Sequence, residues 1–143
     1  MINEIGRNIF LNLRSIIHGE DKSLIMINES VLSRNEIILI DKLFVLIQDE
    51  RNTTSELALE LAISASAIST MLNKLEKKGY IKRIHDEFDR RKVYILPIGK
   101  SKEARDNYIK FYNNISFKMQ TDYNSDELLV FNKVLKSIET YLK

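Results

Sequence analysis

The side chains with the most chemical reach in this chain gather in one stretch, 71–92. It holds eight cations, Lys74, Lys77, Lys78, Lys82, Arg83, Arg90, Arg91 and Lys92, against four carboxylates, Glu76, Asp86, Glu87 and Asp89. The formal charge of the whole chain is only +2 at pH 7, so the rest is slightly acidic and the positive excess is local. Lysine and arginine pair with phosphate, while the hydroxyl and amide groups just upstream, in 66–73, can hydrogen-bond base edges. A charge run is also what any solvated face looks like, so its meaning depends on the elements that carry it.

Other chemistries find few residues to work with. There is no cysteine, which removes disulfides, thiolate zinc sites and thiol-based redox sensing. The two histidines, His18 and His85, are far apart and give no local metal-ligand pair; no glycine-rich phosphate loop or nucleophile elbow occurs. Asp86, Glu87 and Asp89 are close enough to hold a cation, but Arg90, Arg91 and Lys92 oppose it. An enzyme is therefore not expected, and neither a cofactor nor a metal. At 143 residues, 44% hydrophobic and 29% charged, the chain suits one domain or one extended protomer rather than a disordered segment. No apolar run approaches the roughly 20 residues that span a bilayer, and MINEIGRNIF is not built like a signal peptide. No membrane association and a cytoplasmic location are the expectation.

The elements that must position the basic stretch can be read from spacing and capping. Ile5, Ile9, Leu13 and Ile16 step by three or four and predict a first amphipathic helix ending near His18 and Gly19. Ser33 and Glu36 form a capping box ahead of IILIDKLFVLIQ, a helix apolar nearly all round and so expected to be central. Thr53 and Glu56 repeat the pattern for a short third helix with Leu57, Leu59 and Leu61, running to about Ala62, with Ile63 and Ser64 in the turn. A fourth helix should begin at 64–66 and reach about Lys78, with Gly79 supplying the positive φ that often follows a helix end. Its inward face is Ile68, Leu72 and Leu75, with Met71 beside them; Ser66, Ala67, Ser69, Thr70, Asn73 and Lys74 face outward. Residues 80–85 alternate as a strand, 86–91 form a turn, and 92–96 alternate back. Two helices followed by a basic hairpin suit duplex DNA, one helix in a major groove and the hairpin tip on the next groove or on phosphates.

The run ELALELAISASAISTMLNKLEKKGYIKRIHDEFDRRKVYIL resembles the winged helix-turn-helix core of the MarR family of bacterial transcription regulators. The helix end LEKKGYIKR, followed at fixed distance by DEFDRRKVYIL, is similar to the family's wing signature, and flanking helices extend the resemblance over essentially the whole chain. It implies a mostly α fold with a small β-hairpin wing. A winged helix-turn-helix core, 33–97, would lie between an N-terminal dimerisation helix and connector, 1–32, and C-terminal dimerisation helices, 98–143. By the same resemblance Arg91 is the wing-tip residue that enters the minor groove, Asp89 holds and orients its guanidinium, and Arg90 and Lys92 support on phosphates. Ser66, Ser69, Thr70, Asn73 and Lys74 form the recognition face. Two positions depart from the family pattern. Thr70 stands where many relatives carry arginine, and LPIGK replaces a Leu-Thr pair with acidic residues and glycine, with Pro97 able to stop the strand.

Two long apolar stripes follow. Ala104, Tyr108, Phe111, Ile115 and Met119 predict a helix over about 99–122, and Asn124 with Glu127 caps another carrying Leu128, Phe131, Leu135, Ile138 and Leu142. Outside a DNA-binding core such stripes are most economically covered by a second copy, and a homodimer fits a pseudo-palindromic operator in double-stranded DNA. The resemblance further implies a cleft for a small aromatic ligand, with Phe10, His18, Met26, Phe44, Tyr108 and Tyr112 as candidate lining. Each of these is more simply read as an ordinary core residue. The expectation is a sequence-specific, dimeric DNA-binding repressor open to a small ligand. The alternative is a winged-helix protein-interaction module, an adaptor or antirepressor without specific DNA binding.

Overall fold

The computed structural model describes residues 2–29 and 31–143. Among these, helices α1 (Ile2–Ile27), α2 (Arg34–Ile47), α3 (Thr54–Glu60) and α4 (Ala65–Lys77) precede a hairpin of strands β1 (Ile81–His85) and β2 (Val93–Pro97). Helices α5 (Ser101–Asp122) and α6 (Ser125–Tyr141) follow. The strands pair antiparallel from Ile81 opposite Pro97 to His85 opposite Val93. The fold is mostly α with one small hairpin, as expected. No single helix among the described residues is long and apolar enough to cross a membrane.

The chain divides into two compact units, Met1–Tyr108 and Ile109–Lys143. In the first, Leu24 of α1, Ile37, Leu39, Ile40, Leu43 and Leu46 of α2, Leu57 of α3, Ile68, Leu72 and Leu75 of α4, and Ile81 and Ile95 of the hairpin are buried. The central position expected for α2 is therefore observed, and so is the inward face of α4. On α3 only Leu57 is buried, and Leu59 is 75% exposed. In the second unit no residue is buried.

Local chemistry explains most element boundaries. Ser33 and Glu36 make a full capping box on α2, and Asn124 with Glu127 does the same on α6. At α3 the box is only half made. Thr53 Oγ1 accepts the Glu56 backbone N–H at 3.3 Å, but the Glu56 carboxylate turns to Arg51 at 2.6 Å, because a guanidinium is the stronger donor. The first helix also differs from expectation, passing through Gly19 and continuing to Ile27. A glycine inside a helix costs about 1 kcal/mol, less than the roughly 1.5–3 kcal/mol from burying a leucine such as Leu24 one turn later. The Glu20–Arg34 ion pair at 3.1 Å adds a tie to α2.

The hairpin is held at its base. Gly79, at φ +80°, ends α4, and Gly99, at φ +57°, approaches it so closely that a Cβ on Gly99 would lie 2.6 Å from the Gly79 carbonyl oxygen. The Tyr80 carbonyl accepts the Ile98 N–H at 2.9 Å and also the Ser101 hydroxyl. Glycine in LPIGK is thus required by contact with the helix end that precedes the wing. At its other edge β2 is clamped by the buried Asn52, whose backbone carbonyl accepts the Ile95 N–H and whose Nδ2 donates to the Ile95 carbonyl, both at 2.8 Å.

Candidate nucleic-acid interface

The outward face of α4 is the expected one. Ser66, Ser69, Thr70, Asn73 and Lys74 are all exposed, while Ile68, Leu72 and Leu75 anchor the opposite side of the helix. Ser64 is the N-cap; its hydroxyl accepts the Ala67 N–H at 3.1 Å and lies 3.1 Å from the Ser66 hydroxyl. Thr70 Oγ1 donates to the Ser66 carbonyl at 3.0 Å, so its proton is used within the helix and its lone pairs face outward as acceptors.

The eight cations of the basic stretch divide into two kinds. Lys78 is structural: its Nζ lies 2.8 Å from the buried Glu36 carboxylate and donates to the Val31 carbonyl at 2.8 Å. Arg83 turns from β1 onto α4, pairing with Glu76 at 3.0 Å and donating to Asn73 Oδ1 at 2.7 Å, with the Ser69 carbonyl at 3.4 Å. Lys74, Lys77, Lys82, Arg90, Arg91 and Lys92 are exposed and, among the described residues, make no ion pair. Six uncommitted cations thus lie along α4, β1 and the wing tip of one compact unit.

The wing tip is shaped by two aspartates. The Asp86 carboxylate accepts the backbone N–H groups of Phe88 at 2.8 Å and Asp89 at 3.0 Å, and these bonds hold its pKa below the usual carboxylate value. Asp86 N–H donates to the Lys92 carbonyl and Lys92 N–H to the Asp89 carbonyl, both at 3.0 Å, closing the loop. Asp89 departs from its expected role here. Its carboxylate accepts the Arg91 backbone N–H at 3.0 Å rather than the guanidinium, because two residues along a turn bring the N–H, and not the end of the long side chain, into reach. The Asp89 carboxylate thus fixes the Arg91 backbone within the turn.

The six candidate ligand-lining residues have varied surroundings. In the first unit Phe10 and His18 are exposed and Met26 is 74% exposed. Phe44 is half-buried with its ring face covered by the Arg105 guanidinium, 5.1 Å from the ring centroid, and Arg105 also pairs with Asp41 at 3.4 Å. Tyr108 is half-buried, and its phenol is pushed above its ordinary pKa by burial and by the nearby Asp41 and Glu20 carboxylates, which favours the neutral form. In the second unit Tyr112 packs edge-on against Phe111, with centroids 5.1 Å apart. A cavity of about 400 Å³ in that unit is lined by Met119, Tyr123, Glu127, Leu128 and Phe131.

Sequence reasoning missed the structural roles of Asn52, Glu76 and Arg83. Nothing in local periodicity joins Asn52 to Ile95 across 43 positions, whereas Glu76 and Arg83 flank a legible helix end and strand start and could have been paired by charge alone.

A capped second helix with an exposed polar face, preceded by a short helix and a turn and followed by a basic hairpin, defines a winged helix-turn-helix protein. The MarR family model matches residues 42–93. An uncharacterized HTH-type transcriptional regulator of Bacillus subtilis (strain 168), YcgE, is 30% identical over 88 residues, which is 61% of this chain and 57% of the relative. The aligned region is thus less than two thirds of that relative's length. The crystal structure of Streptococcus pneumoniae FabT in complex with DNA superposes with a TM-score of 0.81 at 25% identity, covering 99% of this chain and 97% of FabT. The S. aureus MepR–DNA complex shares the fold at a TM-score of 0.77 and 17% identity, over 93% and 96% of the two chains. Over residues 42–93 the chain is thus similar to the MarR family, within a fold that it shares with FabT and MepR.

Proposed function

We propose that this protein is a dimeric transcriptional repressor that binds a pseudo-palindromic operator in double-stranded DNA. The observation that carries the reading is the set of six uncommitted cations on α4, β1 and the wing, standing beside an exposed row of hydroxyl and amide groups. Ser66, Ser69, Thr70, Asn73 and Lys74 face a major groove; Arg91 reaches the adjacent minor groove from a turn built by Asp86 and Asp89; Arg90 and Lys92 lie on phosphates. The likeness to FabT, which was crystallised with DNA, supports the same use of this fold.

The dimer is supported by apolar surface left open on the flanking helices. Ile5, Phe10, Leu11, Ile16 and Ile17 of α1 and Leu129, Val130, Phe131 and Val134 of α6 are exposed, and no residue of α6 is buried. Apolar rows left open on α1 and α6 need a partner surface, and a second copy supplies one together with the two-fold axis that an inverted repeat requires.

The test is a binding titration on DNA from upstream of the gene against random DNA of equal length, at a stated near-physiological salt concentration. A preference of about a hundredfold with two protomers per site is the expected result. Equal and weak binding to both would return the chain to the class of winged-helix interaction modules. Addition of phenols and aromatic acids to the preformed complex tests an effector, with release from DNA at concentrations that leave the fold intact as the expected result.

A further inference from the structure

Arg83 occupies a position that decides what Asn73 can offer to a base. Asn73 lies on the exposed face of α4, and a free asparagine there has a well-known preference: Oδ1 accepts from the adenine 6-amino group while Nδ2 donates to N7. Here Oδ1 accepts a charge-assisted bond from Arg83 Nη1 at 2.7 Å. The same Nη1 lies 3.0 Å from Glu76, the other arm of the guanidinium approaches the Ser69 carbonyl at 3.4 Å, and the Arg83 backbone N–H points at the Glu76 carboxylate at 3.4 Å. The arginine is thus held from three directions, and its side chain is only 22% exposed. An adenine amino group approaching Oδ1 would meet a cation whose hydrogens already point at that oxygen. Among the described residues Asn73 Nδ2 makes no hydrogen bond, and its two N–H donors are polarised by the guanidinium on the far side of the amide.

We propose that Arg83 is a positioning residue that turns Asn73 into a donor-only reader, so that Asn73 selects guanine, with its O6 and N7 acceptors, over adenine. This rests on the operator-reading function proposed above. It also assigns Arg83 a task other than phosphate contact: it neutralises Glu76, a carboxylate on the DNA-facing side of α4, while fixing the amide beside it.

The experiment is selection from a random-sequence duplex pool, sequenced after enrichment, with the full-length protein and three variants whose folding is checked by thermal melts. For the wild type, the operator position whose preference disappears in Asn73→Ala is expected to hold guanine. Arg83→Ala frees Oδ1, and the guanine-to-adenine ratio at that position should fall by about tenfold or more. Asn73→Asp keeps the acceptor for Arg83 but removes the donors, and should abolish the guanine preference even if Arg83→Ala proves unstable. Adenine at the Asn73-dependent position in the wild type overturns the proposal. So does an Arg83→Ala protein that weakens all sequences equally with its base preference intact, and so does an Asn73→Ala protein with an unchanged consensus. If the wild type enriches no sequence at all, the operator reading itself fails, and the role of Arg83 falls with it.

Discussion

Arg91 stands at the tip of the wing with no carboxylate paired to its guanidinium among the described residues, whereas Lys78, equally charged and thirteen positions earlier, is committed to Glu36 and the Val31 carbonyl. Replacing each should separate binding from stability. Arg91→Ala is expected to weaken operator binding by about tenfold or more and to reduce the slope of log affinity against log salt by about one, with the thermal midpoint unchanged. Lys78→Met should do the reverse. It leaves a nearly buried carboxylate without its cation and lowers stability by about 2–3 kcal/mol, below the usual figure for a fully buried pair because Lys78 is a third exposed, with the salt slope intact. Asp86 adds a pH dependence. Its folded pKa is depressed by the Phe88 and Asp89 N–H groups, so its contribution to the ordered turn is fully present above the ordinary value of 3.8 and is lost as pH falls through the lower folded value. Amide exchange of Phe88 and Asp89 followed by NMR should accelerate over that acidic interval, and should be fast at all pH values in Asp86→Ala.

At the scale of elements, the turn between α3 and α4 sets the angle at which the recognition helix is presented. Its unusual residue is Ala62, at φ +52° just past the Leu61 C-cap, with its N–H bonded to the Leu59 carbonyl at 3.1 Å. An L-residue with a Cβ in this region carries strain of about 1–2 kcal/mol, and glycine would remove it at some cost in unfolded-chain entropy. Ala62→Gly is expected to raise stability by roughly 0.5–1 kcal/mol without changing operator affinity, as measured by urea denaturation and titration. A loss of stability would mean that the alanine methyl is needed in this turn. The wing depends on a clamp of a different kind, since Asn52 pairs with Ile95 through both its backbone and its side chain. It ties the residue before the α3 N-cap to the middle of β2, and so joins the wing to the helix-turn-helix.

At the scale of the molecule, α1 and α6 leave exposed apolar surface that calls for a cover. The unit formed by 109–143 has no buried residue, although Leu128, Leu135 and Ile138 are partly covered. A homodimer is the proposed answer, and sedimentation equilibrium should give about twice the 16.7 kDa of one chain. Phe131, 48% exposed on α6, provides the test. Phe131→Asp places a carboxylate on the proposed interface and should shift the mass toward the monomer; operator affinity should fall with it, because a single half-site loses the contribution of the second. A stable monomer with full affinity for the wild-type operator would remove the two-fold reading.

Local information sufficed wherever the deciding interaction spans a few residues. The Ser33–Glu36 and Asn124–Glu127 capping boxes, the Gly79 helix end, the buried face Ile68, Leu72 and Leu75, and the two paired wing strands were all legible from residue type and spacing. So was the exposed row from Ser66 to Lys74, because it is what remains of α4 once the apolar face has turned inward. The continuation of α1 past Gly19 was not legible, since a local helix penalty was outweighed by packing of Leu24 against distant residues. Nor was the division of the basic stretch into bound and free cations. Composition counts Lys78 and Arg83 with Arg91. Only the folded chain brings Glu36 to Lys78 across 42 positions, and Asn73 to Arg83 around the end of a helix. Charge is a property of the residue, but whether that charge is available to a partner depends on which groups the tertiary structure places within hydrogen-bonding distance.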